Sequence, residues 1–113
     1  MGPHLATLRA RRYRRGMDFV TLIHPADLEA LRALTRRHGA SAVRVFGSAA
    51  RGEARPDSDL DLLVEMEPGR TLLDLVAIAQ DAEELLHRRV DVVTPEGLSP
   101  YLRDRILADA IPM

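Results

Sequence analysis

The spacing of hydrophobic residues predicts three helices. The first covers 24–40, where leucines recur at helical spacing, Pro25 suits the first turn and Gly39 suits the C-terminal end. The second covers 72–87, and its apolar stripe is so broad that we expect this helix to be well buried. The third begins at Ser99, a residue type that caps helices. Four residues should form its inner side: Leu102, Ile106, Leu107 and Ala110.

Shorter segments in which apolar and polar residues alternate predict three strands, at 42–47, 59–66 and 89–94. Because side chains alternate between faces, Asp59 and Asp61 leave the same face of the second strand, roughly 6.6 Å apart along it. The apolar residues of the other face should point toward the core: Leu60, Leu62 and Val64. The order helix, strand, strand, helix, strand, helix predicts an α+β fold or an α/β sandwich with a small β-sheet.

Length and composition limit the class of protein. A chain of 113 residues suggests one domain, and 46% hydrophobic with 29% charged residues is ordinary for a globular protein. No apolar run approaches the roughly 20 residues of a membrane helix, so we expect no membrane span. The chain has no cysteine, which excludes disulfides and thiolate metal sites. We therefore expect a cytoplasmic protein.

Charge is distributed unevenly along the chain. All 16 basic residues are arginine, and five of them precede Met17 in a segment without an acidic residue. The remainder carries the other arginines and all 17 acidic residues. We expect 1–17 to be a disordered basic leader and 18–113 to form the folded domain. Because an acidic domain is a poor general binder of DNA or RNA, only the leader offers a surface for nucleic acid.

Three carboxylates are candidate metal ligands. Asp59 and Asp61, ionised side by side, raise each other's pKa unless a cation lies between them. Oxygen ligands favour Mg²⁺ or Mn²⁺ over zinc, and a magnesium site keeps positions for substrate phosphates. If 90–93 pairs beside 59–65, Asp91 joins the same face. Three carboxylates can hold two metal ions, and Asp91 is also a candidate for accepting the proton of an attacking hydroxyl.

The turn before these acids offers groups that bind phosphate. Gly47 lets the backbone approach a ligand closely, and Ser48 provides a hydroxyl. Arg51 and Arg55 are candidate phosphate ligands, although Arg55 is better explained as a loop residue. Together with the acids, this turn predicts a site for a metal-bound nucleoside triphosphate.

Two other phosphate or metal motifs fail at specific positions. The glycines at 47 and 52 have P-loop spacing, but Glu53 stands where the motif needs lysine, a residue the chain lacks. The acids at 57, 59 and 61 imitate a calcium loop, which would need glycine at Leu62 and glutamate at Pro68.

The segment "GSAARGEARPDSDLDLLV", 47–64, fills every position of the signature GS-x-A-R-G-x5-S-D-x-D-x-x-V. It resembles the minimal nucleotidyltransferases, the MntA-like antitoxins of the DNA polymerase β-like superfamily. Asp91 in "VDVVTPEGL" matches that family's third carboxylate, and "YLRDRILADAIP" resembles its C-terminal helix. The resemblance covers about 18–113. It implies a mixed sheet flanked by helices, with the active site on an open face of the sheet.

The resemblance also implies an activity. Members of this family transfer a nucleoside monophosphate from an NTP to a hydroxyl with Mg²⁺ and release pyrophosphate. By position, Gly47 and Ser48 would hold the triphosphate and Arg51 would assist. Three carboxylates would hold the metal: Asp59, Asp61 and Asp91. Typical members are antitoxins that use ATP to adenylylate a tyrosine of a HEPN-domain ribonuclease toxin encoded beside them.

Two alternatives stay open at the level of sequence. The chain could neutralise its toxin by contact alone, without turnover. It could instead modify a small molecule or RNA. The preferred nucleobase and the oligomeric state are not indicated by any motif.

Overall fold

The computed structural model of the protein describes residues 23–113, so the leader predicted at 1–17 lies outside the described range. No helix in this range is both long enough and apolar enough to cross a bilayer. The elements, in chain order, are α1 (Pro25–Arg37), β1 (Ala40–Phe46), β2 (Leu60–Met66), α2 (Leu72–Leu86), β3 (Val90–Val93), a 3₁₀ turn (Pro95–Gly97), α3 (Pro100–Asp109) and β4 (Ile111–Pro112).

The strands of this range form one mixed sheet in the order β3-β2-β1-β4. β1 pairs antiparallel with both β2 and β4, whereas β2 and β3 run parallel. A parallel pair needs a crossover connection, and α2 provides it. The predicted α+β fold with a small sheet and flanking helices is therefore confirmed.

One face of the sheet carries the hydrophobic core. Leu60, Leu62 and Val64 of β2 are fully buried, as their alternation predicts. They belong to one apolar cluster with Leu31 of α1 and Ile78 of α2. Because side chains alternate along a strand, the acidic positions of β2 lie on the opposite face. The two helices thus cover one face and leave the acidic residues on the other.

Side chains fix where the first two helices begin. At α1, Nδ1 of His24 accepts a hydrogen bond from the Ala26 amide at 3.1 Å. At α2, Thr71 Oγ1 accepts from the Leu73 amide, and Asp74 Oδ2 accepts from the Thr71 amide at 2.8 Å. This is a capping box, and it fixes the start of α2.

The burial predicted for two helices is wrong in part. At the start of α2, Leu72 and Leu73 are 72% and 78% exposed, and Leu102 of α3 is 48% exposed. Only Ile78 and Ala82 of α2 are buried. The apolar stripe of α2 therefore extends beyond the layer that it packs against. Periodicity tells which side of a helix is apolar, but not how far the neighbouring element reaches.

Strand boundaries also differ from the prediction. β2 begins at Leu60, so Asp59 lies just before the strand rather than within it. β4 has no counterpart in the sequence prediction, because two residues are too few to show a period. It pairs with β1 at Arg44 and Val45, and the Met113 amide donates to the Val43 carbonyl at 3.1 Å.

Candidate active site

Two carboxylates lie side by side on the sheet. Asp61 of β2 and Asp91 of β3 are register partners in the parallel pair, the arrangement on which the predicted place of Asp91 depends. On its other side, Asp61 pairs with Phe46, the last residue of β1. Residues directly opposite one another in a sheet share a face. We call the adjacent aspartates Asp61 and Asp91 the acid row.

The environment of Asp61 opposes its ionisation. Burial, the charges of Asp91 and Asp59, and a hydrogen bond with the Asp91 side chain raise the pKa of Asp61 to about 6. The positive charge of Arg51 acts in the opposite direction. Burial is the largest of these causes, and the two neighbouring carboxylates add negative charge that a bound cation would offset.

Gly47 brings the next turn into contact with the acid row. Its φ is +74°, a region that favours glycine. A Cβ at this position would overlap Oδ2 of Asp61 and lie 3.1 Å from its Cγ. The carboxylate therefore packs on the side of Gly47 that has no side chain. A phosphate held by this turn would lie next to the acids.

The segment after Gly47 is a turn closed by a hydrogen bond of the i to i+4 kind found in α-helices. The Arg51 amide donates to the Gly47 carbonyl at 3.2 Å. Ala49 and Ala54 are buried in the core cluster and anchor the two ends of the segment. Ser48 stays half-buried at the start of the turn. Its predicted role in holding phosphate stays a prediction.

Arg51 and Arg55 lie in different surroundings. Arg51 is near enough to Asp61 to lower the pKa of that carboxyl, and its Nε donates to Glu53 Oε1 at 3.0 Å. Arg55 is exposed, and its amide donates to Ser58 Oγ at 2.7 Å. That bond closes the loop that returns the chain to β2. Of the two arginines, only Arg51 is shown beside the acid row.

Asp59, the third predicted ligand, is exposed just before β2. Its charge raises the pKa of Asp61, so it lies close to the acid row. Within residues 23–113, however, no three histidine, aspartate or glutamate side chains converge closely enough to form a ready metal site. Asp59, Asp61 and Asp91 are therefore neighbours rather than a preassembled centre.

The donor set nevertheless suits a divalent cation. All three side chains offer carboxylate oxygens, the ligands that Mg²⁺ prefers. Arg89 forms an ion pair with Asp91, from Nε to Oδ1 at 3.5 Å, and these side chains are 71% and 45% exposed. Exposed ion pairs of this kind contribute little, so Arg89 is easily displaced. A cation would also relieve the repulsion that raises the pKa of Asp61.

Two residues beside the acids are absent from the sequence prediction of the site. Phe46 is predicted only as a strand residue, yet it is the register partner of Asp61. Arg89 is not singled out, although it pairs with Asp91. Sequence spacing could have suggested Arg89, which lies two residues before Asp91. Phe46 depends on the register of β1 against β2, which spacing does not give.

A cavity elsewhere in the fold is separate from these residues. It has a volume of about 280 Å³ and is lined by Arg32, Arg36, Ser41 and Met113 among others. Its strand residues come from the start of β1, whereas Gly47 follows the end of that strand. The cavity includes none of the predicted site residues.

Comparison with known sequences gives consistent matches. The profile of the nucleotidyltransferase domain family matches residues 28–112. A Methanocaldococcus jannaschii protein named "Putative protein adenylyltransferase MJ0435" is 45% identical over 75 residues, which cover 66% of this chain and 81% of that protein. The protein adenylyltransferase MntA of Thermococcus cleftensis is 37% identical over 78 residues, with coverage of 69% and 79%.

Solved structures agree with these matches. The structure of a "putative minimal nucleotidyltransferase" is 52% identical in sequence and has a TM-score of 0.69. The match covers 99% of this chain and 100% of that one. A toxin-antitoxin crystal structure with AMP-PNP has a TM-score of 0.63 at 21% identity, covering 73% of this chain and 68% of that one. The second match concerns the fold alone.

Proposed function

Because the chain belongs to the nucleotidyltransferase domain family, we propose that it transfers AMP from ATP to a hydroxyl of a protein partner. The acceptor that we propose is a tyrosine of a cognate HEPN-domain toxin, which makes the chain the antitoxin of a cytoplasmic toxin-antitoxin pair. Similarity to proteins named protein adenylyltransferase supports AMP as the group transferred. The observation that carries the proposal is the register pairing of Asp61 with Asp91 next to the Gly47 turn.

The proposed reaction is an in-line displacement at phosphorus. The tyrosine oxygen bonds to the α-phosphorus of ATP, and the bond from that phosphorus to the oxygen bridging to the β-phosphate breaks. Pyrophosphate leaves, and Asp91 accepts the proton of the tyrosine hydroxyl. Ser48 and the backbone at Gly47 hold the triphosphate, and Arg51 donates to its oxygens.

The three carboxylates supply the remaining part of the proposed site. Asp59, Asp61 and Asp91 would hold two Mg²⁺ ions, whose charge offsets that of the phosphates and of the departing pyrophosphate. The three carboxylates are not preassembled in this structure, but this does not prevent them from holding metal. Asp59 is exposed, and Arg89, the ion-pair partner of Asp91, is largely in solvent.

A labelling experiment tests the proposal. The chain is mixed with ATP labelled at the α-phosphate, Mg²⁺ and the purified product of the adjacent gene. We expect label on the partner, located by mass spectrometry on a tyrosine, and none when Mg²⁺ is chelated. Asp57→Asn, a change at an exposed acid of the same loop, is the control and should label normally. If the intact chain leaves the partner unlabelled, the proposal is wrong.

The second candidate, neutralisation by contact alone, is separated by the double change Asp59→Asn/Asp61→Asn. If AMP transfer is the mechanism, this variant loses toxin neutralisation in growing cells at equal expression. Full neutralisation by the variant would establish that contact is sufficient. The third candidate, a small-molecule or RNA substrate, requires label on a metabolite or on an RNA 3′ end without the partner protein.

A further inference from the structure

Arg88, in the connection between α2 and β3, directs its side chain into the protein. Its Nη1 donates to the carbonyl of Ser58 at 3.3 Å. Its Nε is buried and has no hydrogen-bond partner among the described residues. Burying a guanidinium donor without a partner costs free energy, and an apolar side chain of similar size would avoid that cost. The position of Arg88 therefore needs a reason beyond packing.

The contacts of this connection converge on the residues that carry the acids. The Leu60 amide donates to the Arg89 carbonyl at 2.9 Å, and Arg88 holds the Ser58 carbonyl. The residue between Ser58 and Leu60 is Asp59. Consecutive residues of the connection thus hold the peptide groups on both sides of Asp59.

A side chain of α2 also holds the start of β3. The Val90 amide donates to Glu83 Oε2 at 3.0 Å, one residue before Asp91. Glu83 of α2 and the connection that follows this helix are therefore bonded to the two segments that carry predicted metal ligands. Of these bonds, the one from Arg88 to Ser58 is the side-chain contact that fixes the exposed segment, because Asp59 itself lies outside β2.

We propose that Arg88 is a positioning residue for Asp59, which it holds at the acid row through the Ser58 carbonyl. This inference rests on the proposed function, since it assumes that Asp59 binds a metal ion with the nucleotide. Arg88 touches neither substrate nor metal. Its contribution is to restrict the backbone of Asp59 before a cation arrives, and groups that orient metal ligands commonly change metal affinity by roughly 10- to 100-fold.

Two measurements on Arg88→Met test the inference. Methionine keeps an apolar stem but donates no hydrogen bond. We expect Mn²⁺ binding in the presence of AMP-PNP, followed by electron paramagnetic resonance, to weaken by roughly 10-fold. In the metal-free protein, we expect faster hydrogen exchange at the Leu60 amide without faster exchange in the core of α2. Arg105→Met, at an exposed arginine of α3, is the matched control and should change neither quantity.

The conservative change Arg88→Lys should recover most of the Mn²⁺ affinity, because lysine keeps a donor at the end of a long stem. Equal losses in the lysine and methionine variants would overturn the assignment to this hydrogen bond. So would wild-type affinity and wild-type Leu60 exchange in Arg88→Met. If that variant does not fold, Arg88→Gln, whose side chain is too short to reach Ser58, is judged by the same criteria.

Failure of the proposed function would look different. If the wild-type chain binds Mn²⁺ and AMP-PNP but modifies no partner, the AMP transfer fails while the effect of Arg88 on binding stands. If the wild-type chain binds no Mn²⁺, exchange at Leu60 in the metal-free variants decides whether Arg88 holds this segment.

Discussion

Asp61 destabilises the protein when it is ionised and no cation is bound. Its pKa is about 6, raised by burial and by the neighbouring Asp91 and Asp59. A carboxyl whose pKa is higher in the folded state than in the unfolded state stabilises the folded state at low pH. This stabilisation is lost as the pH rises toward about 6. In excess EDTA, Asp61→Asn should therefore raise the melting temperature by several degrees near pH 8 and change it little near pH 4.

Melting curves of both proteins at the two pH values check this prediction. Asp57→Asn, at an exposed acid, should give the wild-type curve at both. A gain in melting temperature that is equal at pH 4 and pH 8 would show that the charge of Asp61 is not its cause.

Alanine substitutions at Gly47 and Gly52 distinguish the effect of the contact with Asp61 from the effect of backbone strain. Their φ values are +74° and +71°, but a Cβ at Gly52 meets no atom within 4 Å. Both alanine variants should lose about 1–2 kcal/mol of stability from the left-handed backbone. Only Gly47→Ala must also displace the Asp61 carboxylate, so only this variant should lose AMP transfer, by roughly 100-fold.

The readouts for these glycines are the free energy of unfolding in urea and the rate of label transfer to the partner. Equal rates of transfer in Gly47→Ala and Gly52→Ala would mean that the contact between Gly47 and Asp61 has no role in the reaction.

At the scale of elements, α2 has an exposed half and a buried half. Leu73 is 78% exposed and Ile78 is fully buried. Leu73→Gln should change the free energy of unfolding by less than about 0.5 kcal/mol, whereas Ile78→Ala should cost about 2–5 kcal/mol. Urea denaturation of the two variants measures both. A large loss in Leu73→Gln would mean that the start of α2 is covered in solution.

The same helix shows what sequence can predict. The bounds predicted from its apolar period, 72–87, agree with the structure within a residue. The exposure of Leu72 and Leu73 does not follow, because it depends on which other elements reach the start of α2. The bonds of Glu83 and Arg88 to other segments are equally invisible in a local pattern.

The candidate site, too, is predictable from the sequence only in part. The residue types and spacing of 47–64 predict a glycine turn followed by carboxylates, and the structure places Gly47 against Asp61. The partnership of Asp61 with Asp91 depends on a parallel register between β2 and β3, which no single segment encodes. The position of Asp59 just outside β2 depends on the same register.

At the scale of the whole molecule, ligand binding should stabilise the fold through the acid row. A ligand that binds only the folded state at a hundredfold excess over its Kd adds about 2.7 kcal/mol. We expect AMP-PNP with Mg²⁺ to raise the melting temperature, and EDTA to remove most of that gain. Asp61→Asn/Asp91→Asn should show no gain. Glu96→Gln, at an exposed acid after β3, should behave as the wild type.

Thermal melts of the three proteins, with and without nucleotide and metal, provide the measurement. An undiminished shift in Asp61→Asn/Asp91→Asn would place the nucleotide elsewhere on the protein.

The crossover between β2 and β3 also bears on the order in which the chain folds. Gly47 follows β1 and Asp61 lies in β2, and the register partners of this antiparallel pair are 15 to 26 residues apart in sequence. Asp91 is placed beside them by the parallel pair, whose register partners are 30 residues apart and are joined through α2. Loops that close over longer chain segments form more slowly. We therefore expect the Gly47 turn to meet Asp61 before the pairing of Asp61 with Asp91 is completed.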